Sequence, residues 1–199
     1  MGVKLAAASG GSIELVPTNT ASNFTLTVPA GTGTAAVQGV STNIVAGTAV
    51  ASTSGTSIDF TGIPSWIKRI TVMFSGVSAS GTSPFLIRLG TSGGIVSSGY
   101  NSTGSGFAVG VTSSASSTVG FITRNGRTAG SVDFGVCQIS NLTGNTWVIN
   151  GGFASSATTE NSTFSGGISN LGGTLDRIRI TSVNGTDTFS AGSINILYE

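Results

Sequence analysis

The chain has no histidine, one cysteine and few charged residues. Charged residues make up 8% of its 199 residues, against about 25% in typical soluble domains. Without histidine it has neither the commonest general base nor the commonest metal ligand. With Cys137 as its one cysteine it forms no intrachain disulfide. Cys137 ends the apolar run 132–137, so we interpret it as a buried thiol that packs like a small hydrophobic side chain.

The shortage of charge also limits the partners. Eight Lys and Arg stand against seven Asp and Glu, and the formal net charge is +1. A nucleic-acid-binding protein needs clustered basic residues to displace counterions from phosphates, so we expect no nucleic-acid partner. The sequence contains no run of about 18 apolar residues, so we expect no membrane insertion. We expect no cofactor, because no glycine-rich segment joins a strand to a helix and the acids lack metal-ligand spacing.

Small polar residues and short alternating apolar runs dominate the chain. Its 31 Gly, 31 Ser and 28 Thr supply polarity without charge. Apolar residues recur at every second position in segments 13–15, 24–28, 58–60, 70–74, 85–89, 132–136, 147–149, 178–180 and 194–198. Alternate side chains of a strand point to opposite faces, so each segment offers one face to a core. With glycine-rich turns and no helical periodicity, this pattern predicts an all-β fold, a jelly-roll-like antiparallel β-sandwich.

Two regions of the chain differ in composition and in the size of their predicted strands. Residues 1–46 contain two short strand patterns separated by Pro17 and closed by Pro29, and they are too few to bury a core. We predict that residues 1–46 form an extended N-terminal β arm that anchors the chain or pairs with another subunit. Residues 47–199 hold the bulkier strands and both tryptophans. We predict that they form the β-sandwich domain.

The chain shows no convincing catalytic pattern. Residues 90–94 match the G-x-S-x-G sequence of a nucleophile elbow, but neither the following helix nor the histidine base is available. The seven acidic residues do not cluster in the sequence. Carboxylate-pair hydrolysis therefore stays open only if folding brings two of them together. We predict that the protein is not an enzyme.

Aromatic residues among Gly and Ser are the remaining candidates for ligand contact. They are Tyr100, Phe107, Phe153 and Phe164. A ring beside polar loop groups can stack against the apolar face of a sugar, and Tyr100 is the best candidate for such a contact. The alternative is that these rings pack against the core.

Several segments carry a distinctive pattern. They are 55–71 (GTSIDFTGIPSWIKRIT), 173–179 (GTLDRIR), 184–189 (NGTDTF) and the final 191–199 (AGSINILYE). Together they resemble a module of tailed-bacteriophage virion surface proteins, tail-fibre-like or capsid decoration-like. The segment 6–29 is similar to the start of many phage fibre-like proteins. The resemblance covers nearly the whole chain and brings no catalytic residues with it.

The resemblance implies a non-enzymatic structural protein on the surface of the phage particle. It implies a homotrimer whose residues 1–46 contact other virion proteins while the sandwich faces outward. A short tail fibre or receptor-binding protein and a capsid decoration or head-fibre protein both stay open, as does a host-surface glycan as a further partner. The alternative function is a free carbohydrate-binding, lectin-like module.

Charged residues are candidates for contacts between subunits if the chains associate. The cations are Arg69, Arg88, Arg177 and Arg179, and their candidate partners are Asp59, Asp133 and Asp176. The alternative is that these residues form a solvated surface.

Overall fold

The chain divides into two compact units, Met1–Ser41 and Thr42–Glu199. The computed structural model describes residues 3–6, 12–15, 44–108, 110–156 and 160–199. In the first unit, β1 (Val3–Ala6) pairs antiparallel with β2 (Ser12–Leu15), and Leu5 lies opposite Ile13. The alternation predicted at 13–15 thus falls in β2. The strand predicted at 24–28 lies outside the described residues, and the extended arm stays a prediction.

The second unit contains two antiparallel sheets. The smaller sheet has five strands: β5 (Ser57–Phe60), β7 (Phe85–Thr91), β8 (Gly94–Ile95), β11 (Phe121–Ile122) and β15 (Arg177–Ser182). The larger sheet has nine: β3 (Val45–Ala46), β4 (Val50–Ala51), β6 (Arg69–Ala79), β9 (Tyr100–Ala108), β10 (Val111–Ser117), β12 (Asp133–Thr143), β13 (Thr146–Ser155), β14 (Glu160–Ile168) and β16 (Phe189–Tyr198).

The strand order of each sheet differs from the order in sequence. The smaller sheet runs β11-β7-β15-β5, and β8 pairs with β7. The larger sheet runs β10-β9-β14-β13-β12-β6-β16, and both β3 and β4 pair with β16. Strands β9 and β14 are therefore neighbours although some fifty residues of sequence separate them, with Thr103 opposite Ser165. This adjacency places the side chains of the candidate site side by side.

The core lies between the two sheets. In β6, Ile70, Val72 and Phe74 are buried and alternate with Thr71 and Met73, as β-branched and aromatic residues do on a half-buried pleated strand. From the opposite sheet, β7 contributes Phe85, Ile87 and Leu89. The rings of Phe74 and Phe85 lie 5.9 Å apart, and Phe189 of β16 stacks on Phe85 at 5.6 Å. The sheets thus pack face to face.

The all-β, antiparallel fold class is confirmed. All the elements of the described ranges are strands, and these ranges contain no helix long and apolar enough to cross a membrane. The jelly-roll connectivity stays a prediction. The second unit takes in β3, where Val45 and Ala46 pair with Tyr198 and Leu197. It thus begins a few residues before the predicted domain boundary at 46/47.

The predicted orientation of β12 is wrong. The alternation of Val132, Phe134 and Val136 suggests that these residues face the core, yet Phe134 and Val136 are each 51% exposed. The residues that point inward are Asp133 and Cys137, both almost fully buried. A buried ion pair at Asp133 fixes this orientation, because a one-residue shift would turn every side chain of the strand to the other face. The interpretation of Cys137 as a buried free thiol is confirmed.

Candidate functional site

The outer face of β9, β14 and β13 carries rows of uncharged polar side chains. In β9 the exposed positions alternate with buried ones, so Asn101 and Thr103 point away from the core. The register places Thr103 opposite Ser165, and Ser165 opposite Asn150 of β13. The next row along the strands is Ser105, Thr163 and Gly152. Three strands that are distant in sequence thus build one continuous polar surface.

Two shallow grooves cross this surface. One has a volume of about 580 Å³, and its walls include Asn101, Thr103, Val148 and Ser165. The second, about 400 Å³, runs beside it and shares Thr103 and Ser165. Among the described residues that line the grooves, none carries a charge. Hydroxyl and amide groups both donate and accept hydrogen bonds, so these grooves suit a neutral ligand that is itself rich in hydroxyls.

Gly166 and Gly167 of β14 both line the larger groove. A Cβ at Gly166 would lie 2.6 Å from the carbonyl oxygen of Asn101, so this position accepts no side chain. At Gly167 a Cβ would meet the Trp147 oxygen at 3.4 Å and Val148 at 3.6 Å, which are ordinary contacts. A side chain at Gly167 therefore fits the sheet but occupies the groove. This makes Gly167 the position at which the groove can be filled without disturbing the fold.

Tyr100, the predicted ligand contact, is a core residue. Its side chain is 3% exposed, and its ring meets Phe121 edge-on at 4.9 Å. The hydroxyl accepts a hydrogen bond from the Leu89 amide at 2.8 Å and donates to the carbonyl oxygens of Val96 and Leu89 at 3.0 and 3.3 Å. Burial raises the pKa of Tyr100 to about 12. In this position the ring presents no face to a sugar, and its neighbour Asn101 lines the groove instead.

Of the other three aromatic candidates, two are core residues and one is exposed. Phe153 and Phe164 are buried, and their rings pack 5.2 Å apart within the core. Phe107 is 43% exposed on the outer face of β9, where its register partners are Thr112 and Asn161. Of the four rings, Phe107 is the one that solvent reaches.

The charged residues proposed for a subunit interface have partners within the chain. The guanidinium of Arg179 donates to both oxygens of Asp59, at 2.7 and 2.6 Å, and this bond raises the pKa of Arg179. Arg69 pairs with the Glu199 carboxylate.

Two further arginines lie beside the Arg179–Asp59 pair on the smaller sheet. Arg177 pairs with Asp176 at 3.2 Å, and Asp176 also accepts a bond from the Gly62 amide at 3.2 Å. Arg88 donates to the carbonyl oxygen of Val119 at 2.8 Å. These contacts show how each side chain is held within one subunit, and a role between subunits stays a prediction.

Asp133 joins a buried ionic cluster that sequence reasoning missed. Its two oxygens accept from Arg124 and, at 3.1 Å, from Arg127, and all three residues are buried. Arg127 also donates to the Ser131 carbonyl at 2.9 Å and lies 3.9 Å above the Phe85 ring. Burial lowers the pKa of Arg127, and Asp133 partly offsets that effect. The one signal in the sequence was two arginines and an aspartate within ten residues.

Comparisons with protein-family models, with curated proteins and with solved structures found no match to this chain. The fold and the grooves define an all-β protein with two facing antiparallel sheets and an uncharged, largely polar surface on the larger sheet. Among the described residues, no three His, Cys, Asp or Glu side chains come together as a metal site would need.

Proposed function

We propose that this chain is a non-enzymatic structural protein on the surface of a bacteriophage particle, where its neutral grooves contact a host-surface glycan. Residues 1–46 would anchor it to other virion proteins as a homotrimer, and the sandwich would face outward. A short tail fibre and a capsid decoration protein are both forms of this proposal. The resemblance of segments 55–71 and 191–199 to virion modules supports it.

The non-enzymatic part of the proposal rests on the ion pairs and hydrogen bonds that the carboxylates form. The side-chain carboxylates that the structure describes belong to Asp59, Asp133, Asp176, Asp187 and Glu199. Four of them pair with arginines. Asp187 accepts from the Ser83 amide at 3.0 Å and from the Asn184 side chain at 2.7 Å. Each is thus used to hold the fold together, whereas a general acid or base must reach the reacting atoms of a substrate.

The strand order supports the jelly-roll form of the sandwich. With the hairpin β13–β14 and the strands β3, β4, β8 and β16 set aside, the larger sheet has the order β6-β12-β9-β10 and the smaller sheet the order β5-β15-β7-β11. Along these eight strands the chain crosses between sheets six times, after β5, β6, β8, β10, β11 and β14, as the paired Greek keys of a jelly roll require. This architecture serves many capsid and lectin domains, so it agrees with both parts of the proposal without deciding between them.

The location of the chain in the intact particle tests the virion assignment. Antibodies against the purified full chain would be applied to phage particles from the strain that encodes it, followed by immunogold microscopy and image reconstruction. We expect labelling on the particle, at the head for a decoration protein or at the tail tip for a short fibre. Particles that never carry the chain would overturn the assignment.

Glycan binding is tested separately with the full chain and two matched glycine variants. Gly167→Thr fills the groove, whereas Gly93→Thr adds the same side chain at a turn of the smaller sheet, where a Cβ would make an ordinary contact with Thr91 at 3.5 Å. We expect a neutral oligosaccharide from a glycan array to lose at least about tenfold in affinity with Gly167→Thr and to keep its affinity with Gly93→Thr. Equal binding by both variants would exclude the groove while leaving the virion assignment intact.

A further inference from the structure

β10 is a long and unprotected sheet edge. It spans seven residues, Val111–Ser117, with the sequence VTSSASS, and contains no charged residue and no proline. Within the described residues it pairs with β9 alone, so its other side presents a row of backbone N–H and C=O groups. Such a row is a template for another strand.

The other edges of the two sheets of the second unit have features that discourage strand addition. At the opposite side of the larger sheet, β3 and β4 contain two residues each. In the smaller sheet β11 also contains two residues, and β5 carries the paired Asp59 and is followed by Pro64. Short strands and charged or proline residues are the usual devices that protect an edge. β10 has none of them.

The side chains of β10 gain little from burial. None of its residues is buried, and the positions that face inward, Ser113, Ala115 and Ser117, are only partly covered. The larger sheet extends past the smaller one here, where the nearest strand of the smaller sheet is the two-residue β11. A partner strand would therefore bind β10 chiefly through hydrogen bonds to its backbone N–H and C=O groups.

We propose that β10 pairs antiparallel with β10 of a second copy, around a two-fold axis at Ser114. This register lines up all seven residues, because Ser114 is the centre of the strand. It places Thr112 opposite Ser116 and Ser113 opposite Ala115 of the partner. Every cross-strand pair is then small and uncharged, so nothing repels, and Thr–Ser pairs add hydrogen bonds. A two-fold contact uses the same patch on both copies and closes on itself.

The pairing goes beyond the proposed function and does not depend on it. Thr112, Ser114 and Ser116 lie on the outer face, in register with Phe107, Ser105 and Thr103 of β9. Pairing would therefore join the polar surfaces of two copies into one sheet of eighteen strands, twice the nine seen here. If a homotrimer forms through other residues, the same contact would link one trimer to the next.

Cysteine cross-linking of the full chain tests the pairing at its axis. Cys137 is buried, so Ser114→Cys introduces the one accessible thiol among the residues described. Directly opposed residues of antiparallel strands have Cα atoms about 4.5–5.5 Å apart, within the range of a disulfide. The control is Thr163→Cys, an exposed position on the same face and in the same row, two strands inward. We expect oxidation to give a covalent dimer with Ser114→Cys, and little with Thr163→Cys.

Introducing a charge at Ser114 gives a second test that needs no covalent cross-link. Ser114→Lys places two like charges opposite each other at the axis, and we expect the native mass by light scattering to halve at low salt. Ser114→Glu should do the same, and an equal mixture of the two variants should restore the wild-type mass. Thr163→Lys is the control that should leave the mass unchanged. Equal cross-linking at positions 114 and 163, or a wild-type mass that Ser114→Lys does not alter, would overturn the proposal.

Discussion

The two outer faces of the sandwich differ in chemistry. On the smaller sheet, Asp59, Arg179 and Arg88 lie in one row across three strands, and Arg177 and Asp176 pair beside them. On the larger sheet, hydroxyls, amides, glycines and a few apolar residues such as Val148 line the grooves, and none of these residues carries a charge. Charged pairs hold their side chains in fixed partnerships, whereas free hydroxyls stay available to a ligand. In the described part of the sandwich, charged side chains are thus used to hold the structure, and the outward-facing groups of the grooves are uncharged.

The buried ion pair should give the largest effect of any single charge. Asp133→Asn keeps the size of the side chain but leaves Arg124 and Arg127 without the carboxylate that faces both. We expect the free energy of unfolding to fall by about 3–5 kcal/mol, because two buried guanidinium groups lose the carboxylate with which both pair. Urea denaturation followed by tryptophan fluorescence measures the change. A loss below about 1 kcal/mol would mean that this cluster is less important than its burial indicates.

Glycines inside and outside the sandwich should respond differently to the same substitution. A Cβ at Gly104, which points inward from β9, would lie 2.6 Å from backbone atoms of Thr123 and Arg124. We expect Gly104→Ala to cost about 1–3 kcal/mol, because two backbone segments must separate. Gly167→Ala on the outer face should change stability by less than about 0.5 kcal/mol. Thermal unfolding of the two variants side by side checks the contrast.

Tyr100 should make stability depend on pH in the alkaline range. Tyr100→Phe removes the hydroxyl that bonds to Leu89 and Val96, and at neutral pH we expect a loss of about 1–3 kcal/mol. In the folded chain the pKa of Tyr100 is raised from 10.0 to about 12. Its contribution is therefore fully present below pH 10 and is lost as pH rises towards 12, because the unfolded chain releases the proton first.

The difference between wild type and Tyr100→Phe should accordingly shrink above pH 10. Burial also raises the pKa of Cys137 from 9.0 to about 12, which adds a loss common to both proteins. Urea titrations between pH 8 and 12 measure the difference. A constant gap across this range would show that the hydroxyl ionises alike in both states.

The exposed ion pair should give a much smaller effect than the buried one. The side chains of Asp59 and Arg179 are 34% and 36% exposed, so solvent screens their attraction. We expect Asp59→Asn to lower stability by about 0.5–1 kcal/mol, and by less at high salt. The comparison with Asp133→Asn, which makes the same chemical change, isolates the effect of burial. An equal loss in the two variants would contradict it.

Period-two alternation predicted seven of the fourteen strands described in the second unit, because side chains at Ile70, Val72 and Phe74 or at Ile178 and Ile180 must face one core. It failed at β12, where Phe134 and Val136 look like core residues and Asp133 does not. A hydrophobic pattern does not show that Asp133 forms buried ion pairs with Arg124 and Arg127, and these pairs decide which side of the strand faces the core. At such positions a tertiary contact, and not the local alternation of apolar residues, sets the orientation of the strand.

The groove was beyond sequence reasoning for a topological reason. Asn101, Ser165 and Asn150 come from three strands, and their adjacency follows from the pairing of β9 with β14. Tyr100 illustrates the same limit, since a ring among Gly and Ser looks exposed until the opposite sheet covers it. The residue types of the surface could be read from the sequence, but their arrangement could not.

The position of β6 has a consequence for how the chain is made. β6 pairs on one side with β12 and on the other with β16, so Ile70 lies opposite both Ile139 and Tyr198. During synthesis, β6 must wait for more than a hundred further residues before its second neighbour leaves the ribosome. Pairings of such long range fold slowly, because loop closure precedes any gain from contact. Until β16 arrives, one backbone edge of β6 stays unpaired and open to wrong partners, so we expect the nascent chain to be most prone to aggregation at this stage.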